Sequence, residues 1–163
     1  MIVRLAKHED LNDIVEIYNQ AIMAGKRTAD ITTFTVKDRL EWFESHDSEK
    51  YPLFVAIKNE KVVGYLTLGP YRPGRAALQH TAEVSFYVHF SHHKQGVASE
   101  MLRHGISICN SLGIKTLLAI LIEENEGSIR LLKKHGFQEW GRLPEIVEFD
   151  RMKYDHLYYG LHL

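Results

Sequence analysis

The sequence predicts an α/β (α+β) protein with one domain, residues 1–163, built on a mixed central sheet of about seven strands with helices on both faces. Three observations carry this. Apolar spacing sets out elements in the order β-α-α-β-β-β-α-β-α-β-β. Three strands follow one another in mid-chain with no helix between them, which excludes a doubly wound fold. The stretch Thr116–Ile122 is apolar without interruption, as in a strand covered on both faces.

Each element has its own signal. Ile2, Val3 and Leu5 make Met1–Ala6 a short first strand. Leu11, Ile14, Val15, Tyr18, Ala21 and Ile22 recur at spacings of three and four, an amphipathic helix that Gly25 ends. Residues 26–34 read as loop. Thr35 with Asp38 three residues on forms a capping box, and Leu40 and Phe43 give the short second helix its apolar stripe. The polar stretch His46–Tyr51 reads as loop. Strands Leu53–Lys58 and Val62–Leu68 are joined by Asn59-Glu60 in a tight hairpin. Two prolines and two glycines make Gly69–His80 a loop, and Thr81–Phe90 alternates as a strand should. Val97, Met101, Leu102, Ile106, Cys109 and Leu112 place a helix over Gly96–Leu112, ended by Gly113. Asn125 caps a helix that Gly136 stops at His135. Phe137–Leu143 and Tyr154–Leu161 close the sheet.

Composition narrows the function classes. A net charge of −1 lacks the basic excess of a duplex-DNA binder. The longest apolar run, Leu117–Ile122, falls far short of the ~20 residues of a membrane span. Met1-Ile2-Val3-Arg4 has no signal-peptide apolar region. The one cysteine, Cys109, cannot form an internal disulfide and sits on an apolar stripe, where a structural thiol is expected. These features predict a soluble cytoplasmic protein. His89, His92 and His93 cluster without metal-ligand spacing, so no metal is expected.

Chemistry is expected where the strand Thr81–Phe90 meets the next helix. Val84, Phe86, Val88 and Phe90 point one way; Glu83, Ser85, Tyr87 and His89 point the other and give the strand a polar face. Gly96 allows a turn free of side chains, and Val97, Ala98 and Ser99 open a helix whose first N–H groups lack partners. His92, His93 and Lys94 add positive character. An anion such as phosphate suits that turn, and an ordinary connection is an equal reading of the same residues. Neither a Walker loop nor G-x-G-x-x-G is present.

Taken together, Ile17-Tyr18-Asn19-Gln20-Ala21-Ile22, Tyr51-Pro52-Leu53-Phe54-Val55-Ala56, Val63-Gly64-Tyr65, Gly69-Pro70-Tyr71-Arg72, Thr81-Ala82-Glu83, Asn125-Glu126-Gly127-Ser128, His135-Gly136-Phe137 and Tyr154-Asp155 form an ordered set. In this set the chain resembles the GNAT superfamily of N-acetyltransferases, and within it the phosphinothricin and methionine sulfoximine acetyltransferase branch. The resemblance implies acetyl-CoA as donor, no metal, and the primary amine of a small amino-acid-like acceptor, attacked directly without an acyl-enzyme.

It implies that Lys94, Gln95, Gly96, Val97, Ala98 and Ser99 hold the pyrophosphate. Phe86, Tyr87 and Val88 would offer main-chain groups to the pantetheine and thioester, with Asn125 and Lys134 as further cofactor contacts. Glu83 would be the general base, which the chemistry needs because an amine of pKa about 10 is protonated at pH 7. Tyr71, Arg72 and Arg75 would meet the acceptor's acidic group, beside Ser85. A homodimer is implied too.

The chain departs from the family at His93, which opens the Q/R-x-x-G-x-G/A pattern. It also has no histidine within Glu148–Met152, where the phosphinothricin enzymes carry one. Two other readings stand beside the enzyme: a non-catalytic CoA-binding sensor module, which needs no base at Glu83, and a protein or peptide N-acetyltransferase, which needs a wider cleft.

Overall fold

A computed structural model describes all 163 residues. Strands β1 (Ile2–Leu5), β2 (Leu53–Lys58), β3 (Lys61–Pro70), β4 (Thr81–Val88), β5 (Thr116–Ile122), β6 (Gln138–Phe149) and β7 (Met152–His162) form one sheet in the order β1-β2-β3-β4-β5-β7-β6. Only β4 and β5 run parallel; every other neighbour is antiparallel. The helices are α1 (Leu11–Met23), α2 (Val36–Glu44), α3 (Val97–Ile108) and α4 (Glu126–Lys134).

The period-two alternation of the strands divides the core between the two faces. Leu53, Val55 and Tyr65 pack with Ile14, Ile17, Tyr18 and Ile22 of α1, with Trp42 and Phe43 of α2 against them. Phe54, Ala56, Leu66, Leu68, Ala82 and Val84 point the other way and pack with Val97, Met101 and Leu102 of α3 and Leu132 of α4. β5 contributes Leu117, Ala119 and Leu121 to that second core, while Leu118 and Ile122 are also buried, as expected of a strand covered on both sides.

Local chemistry explains the joints. Asn59 and Glu60 adopt φ of 49° and 62°, the left-handed pair that a two-residue hairpin requires. The Thr35 hydroxyl accepts from the Asp38 amide, and the Asp38 carboxylate accepts from the Thr35 amide at 2.8 Å, closing the predicted capping box. Arg4 grips Asp10 with two bonds of 2.7 and 2.9 Å, and the Lys7 amide donates to the same carboxylate, fixing β1 to the start of α1.

Four expected boundaries move. β4 ends at Val88, and Phe90 lies exposed in a 3-10 turn instead of continuing the strand. α3 starts at Val97, with Gly96 as its cap at φ 82°, and stops at Ile108. The hairpin β6–β7 is longer than the expected Phe137–Leu143 and Tyr154–Leu161, turning only at Asp150 and Arg151. Pro144 and Glu145 (φ 52°) sit in a bulge where the register shifts, which broke the alternating pattern without ending the strand. No helix is long and apolar enough to cross a membrane.

Candidate active site

The site begins where two parallel strands part. β4 pairs with β5 only over Thr81–Glu83 against Thr116–Leu118. Past Glu83 the strands separate, and β4 keeps only its β3 partner as far as Val88. The amide of His89 bonds the Val63 carbonyl at 2.9 Å, and that of Tyr71 bonds the Thr81 carbonyl at 3.4 Å. With Gly64 opposite Val88, the odd-numbered residues of β4 therefore direct their peptide groups to β3. The even-numbered ones, Val84, Phe86 and Val88, direct theirs into the gap. Tyr87 lines the cleft, but its own N–H and C=O belong to β3, so it has no amide to offer there.

The gap widens into a cleft of ≈ 760 Å³. Phe86, Tyr87, Val88, Lys94, Gly96, Val97, Ala98, Ser99, Asn125 and Lys134 line it, together with Arg27, His92, His93 and Arg130. A Cβ at Gly96 would meet nothing within 4 Å, so its glycine is required by the left-handed φ and not by crowding. The amides of Val97, Ala98 and Ser99 find no carbonyl within the chain, leaving three donors and a helix dipole directed at one spot. The Asn125 side chain accepts from the Ser128 amide at 3.4 Å and caps α4. Donors at one end, unpaired strand groups along one wall and an excess of basic side chains fit a long ligand carrying a diphosphate.

Two cofactor candidates have prior engagements. Gln95 points away from the cleft: its amide donates to the Ser91 carbonyl at 3.0 Å and accepts from Lys58 at 2.8 Å. The Ser99 hydroxyl lies 2.8 Å from His135 Nε2. His93, at the divergent first position, donates from Nε2 to the Val88 carbonyl at 2.9 Å.

Glu83 and Ser85 look out on the opposite face of β4 into a second cavity of ≈ 360 Å³, walled by Thr67, Gly69 and Pro70 of β3, Tyr51, and Trp42, Ser45 and His46 at the end of α2. Burial raises the Glu83 carboxyl above its ordinary pKa, and the side chain makes no hydrogen bond within the chain. On the same face of the sheet Tyr87 stacks on Tyr65 at 5.3 Å and stands edge-on to Tyr18 at 4.9 Å.

The sequence reading missed Trp42, His46 and Tyr51. Trp42 and His46 stand four apart at a helix end, so one face presents both; that spacing was the available signal. Tyr71, Arg72 and Arg75 line neither cavity. After Pro70 the chain turns outward through Arg72 at φ 50° and Gly74 at φ 82°, and both arginines are exposed. The loop that carries them leads into β4 from outside both cavities. No group of three histidine, cysteine or acidic side chains comes together as a metal ligand set.

A strand pair that opens past a carboxylate, followed by a glycine turn and a helix start, is the architecture of an acyl-CoA transferase, and the chain belongs to the GNAT acetyltransferase family, whose domain matches residues 3–158. It is 41% identical over 95% of its length (94% of the relative) to a Bacillus subtilis protein named "Putative phosphinothricin acetyltransferase YwnH". It is 31% identical to the L-methionine sulfoximine/L-methionine sulfone acetyltransferase of Salmonella typhimurium, over 93% of this chain and 88% of that one. The solved structure of yncA from Salmonella typhimurium with its cofactor acetyl-CoA superposes with a TM-score of 0.93 at 28% identity, covering 99% and 93% of the two chains. The protein is thus an acetyltransferase.

Proposed function

We propose that the protein moves the acetyl group of acetyl-CoA to the primary amine of a small amino-acid-like acceptor, by direct attack and with Glu83 as general base. The observation that carries this is the place of Glu83: it is the last residue of β4 paired with β5, so it stands at the vertex of the cofactor cleft while its side chain faces the second cavity. Acetyl-CoA supplies an activated thioester. Val97, Ala98 and Ser99 would hold its diphosphate through their amides, Lys94 and Lys134 would add charge, and Phe86 and Val88 would hydrogen-bond its arm. A cleft-facing amide of β4 would polarise the thioester carbonyl as charge builds on oxygen.

The acceptor enters the second cavity as an ammonium. Glu83, its proton affinity increased by burial, removes one proton; the freed lone pair bonds to the acetyl carbon, the C–S bond breaks, and the CoA thiolate leaves with the surplus proton of the new amide nitrogen. The one thiol, Cys109, is buried in the other core, donates to the Gly105 carbonyl at 3.1 Å and has its pKa pushed up to about 11, so a cysteinyl acyl-enzyme has no candidate. A single buried free thiol also suits a cytoplasmic setting. Phosphinothricin and methionine sulfoximine are the acceptors to try first, because relatives carry those names.

The test is thiol release from acetyl-CoA over an amine panel, wild type against Glu83→Gln. The variant is expected to lose about 10²–10⁴ in kcat while still binding acetyl-CoA. Tight CoA binding with no turnover of any amine by wild type would instead identify a sensor. Turnover of peptide N-termini alone would identify a protein acetyltransferase.

The chain is further proposed to form a homodimer through the β6–β7 hairpin, where Trp140, Leu143, Ile146 and Met152 are exposed at 41–60%. Sedimentation should give twice the 18.9 kDa chain mass, and Ile146→Asp should shift it towards monomer.

A further inference from the structure

The acceptor cavity holds a second group able to accept a proton donor, and nothing in the proposed mechanism yet uses it. His46 follows the C-terminus of α2 and lines the same cavity as Glu83. Its Nδ1 lies 2.9 Å from the Trp42 carbonyl, and its ring packs edge-on to the Trp42 indole at 4.7 Å between centroids. A carbonyl oxygen can only accept, so Nδ1 carries the hydrogen. In the neutral ring, Nε2 then bears a bare lone pair. Nε2 has no side-chain hydrogen bond within the chain, and no buried side-chain nitrogen or oxygen lacks a partner, so Nε2 is open to solvent on a ring that lines the cavity.

Resting on the acetyltransfer reading, we infer that His46 Nε2 accepts a hydrogen bond from the ammonium group of the acceptor and so orients it towards Glu83 and the thioester. The chemistry of the ligand class selects that group. In an amino-acid-like acceptor at neutral pH the carboxylate and any phosphinate can only accept, and an acceptor lone pair repels them. The α-ammonium is the donor that all such molecules share, and it brings three N–H bonds. One goes to Glu83 and becomes the proton removed. A second goes to His46. Removal of that first proton leaves the lone pair on the Glu83 side, and a third of a turn about the C–N bond brings that pair to the acetyl carbon while an N–H still meets His46.

Burial keeps the His46 ring below its ordinary pKa, and the Arg39 guanidinium, about two turns earlier on α2, pushes in the same direction. Glu83 on β4 is the acidic group sharing the cavity. A neutral ring is the form an ammonium requires, since an imidazolium would repel it. His46 is therefore a substrate-orienting residue and a filter for primary amines: an N-methylated acceptor keeps two N–H bonds, and with both held by Glu83 and His46 its methyl group must take the third position, against the acetyl carbon.

Two isosteric substitutions separate this role from a structural one. In His46→Asn the side-chain amide overlies Nδ1, keeping the donor to Trp42 and deleting the acceptor at Nε2. His46→Gln reaches the Nε2 position with an amide oxygen and surrenders the Nδ1 contact. Steady-state kinetics would use L-methionine sulfoximine and its N-methyl analogue, with acetyl-CoA affinity and thermal melting as controls of folding.

A hydrogen bond to a charged group predicts that His46→Asn lowers kcat/KM for the primary amine about 10–100-fold, with acetyl-CoA affinity unchanged. His46→Gln should recover most of that loss, and His46→Asn should lose preference for the primary over the N-methyl amine. The reverse order, Asn tolerated and Gln impaired, would show that only the Trp42 contact matters and would overturn the inference. So would equal activity of all three proteins. If wild type acetylates no amine while Glu83→Gln changes nothing, the acetyltransfer reading itself has failed, and this inference fails with it.

Discussion

Burial disfavours the ionised form of Glu83, and that penalty bears on stability as well as on the proposed proton transfer. A carboxyl whose folded-state pKa is raised binds its proton more tightly folded than unfolded. Stability is then greatest below the unfolded pKa and declines as pH rises through the window up to the folded pKa. Glu83→Gln should therefore raise the melting temperature at pH 7–8, and the gain should vanish below about pH 4. Scanning calorimetry of both proteins across that range checks it; a variant less stable at pH 8 would contradict it. Asp10 behaves oppositely. Burial alone would raise its pKa, but the bonds from Arg4 and the Lys7 amide outweigh that and hold it below the usual carboxylate range. Its contribution is present above the unfolded pKa and is lost as pH falls through the folded one. Asp10→Asn strands a guanidinium and should cost about 2–3 kcal/mol at pH 7, read from urea unfolding.

Among the elements, β3 and β7 are the most tightly constrained. A Cβ at Gly64 would stand 2.9 Å from both Met101 Cε and the Tyr87 carbonyl oxygen, so the residue is small because α3 and β4 meet above it. Met101 can bend away and a strand carbonyl cannot. Gly64→Ala should destabilise by about 1–3 kcal/mol and, by displacing β4 at Tyr87, weaken acetyl-CoA binding. Thermal melts and a binding titration read both effects. Gly160 on β7 lies beneath the Trp140 indole, where an added Cβ would overlap the ring. Most elements were legible because each announces itself locally: the capping box at Thr35, the left-handed hairpin pair at Asn59 and Glu60, the apolar run of β5. The ends of β6 and β7 were not, since that hairpin is wet on both sides and carries a proline bulge. Without a buried face there is no apolar alternation to read.

Across the whole molecule the two halves of the site differed in legibility for a related reason. The proposed cofactor side has one wall of consecutive residues, a strand running into a glycine turn and a helix start, which sequence order displays, while Arg27 and α4 supply the other. The acceptor side draws Trp42 and His46 from α2, Tyr51 from a loop, Thr67 from β3 and Glu83 from β4, which only folding brings together. Loop arginines were the visible cations, and the turn at Arg72 carried them outward. Sheet topology also makes a thermodynamic prediction. Because acetyl-CoA would bind the folded chain alone, saturation at 100 times Kd should stabilise it by about 2.7 kcal/mol, seen as a melting temperature higher by several degrees.

A sheet normally keeps its raw margins at the perimeter, where lysines and bulges guard them. Here two lie back to back in the interior, along Val84–Val88 and Ala119–Ile122, facing each other across a wedge. A pantetheine arm threaded between them would act as a makeshift eighth strand. Amide protons of Phe86 and Val88 should then exchange slowly with deuterium only when the nucleotide is bound, and the empty wedge should exchange freely.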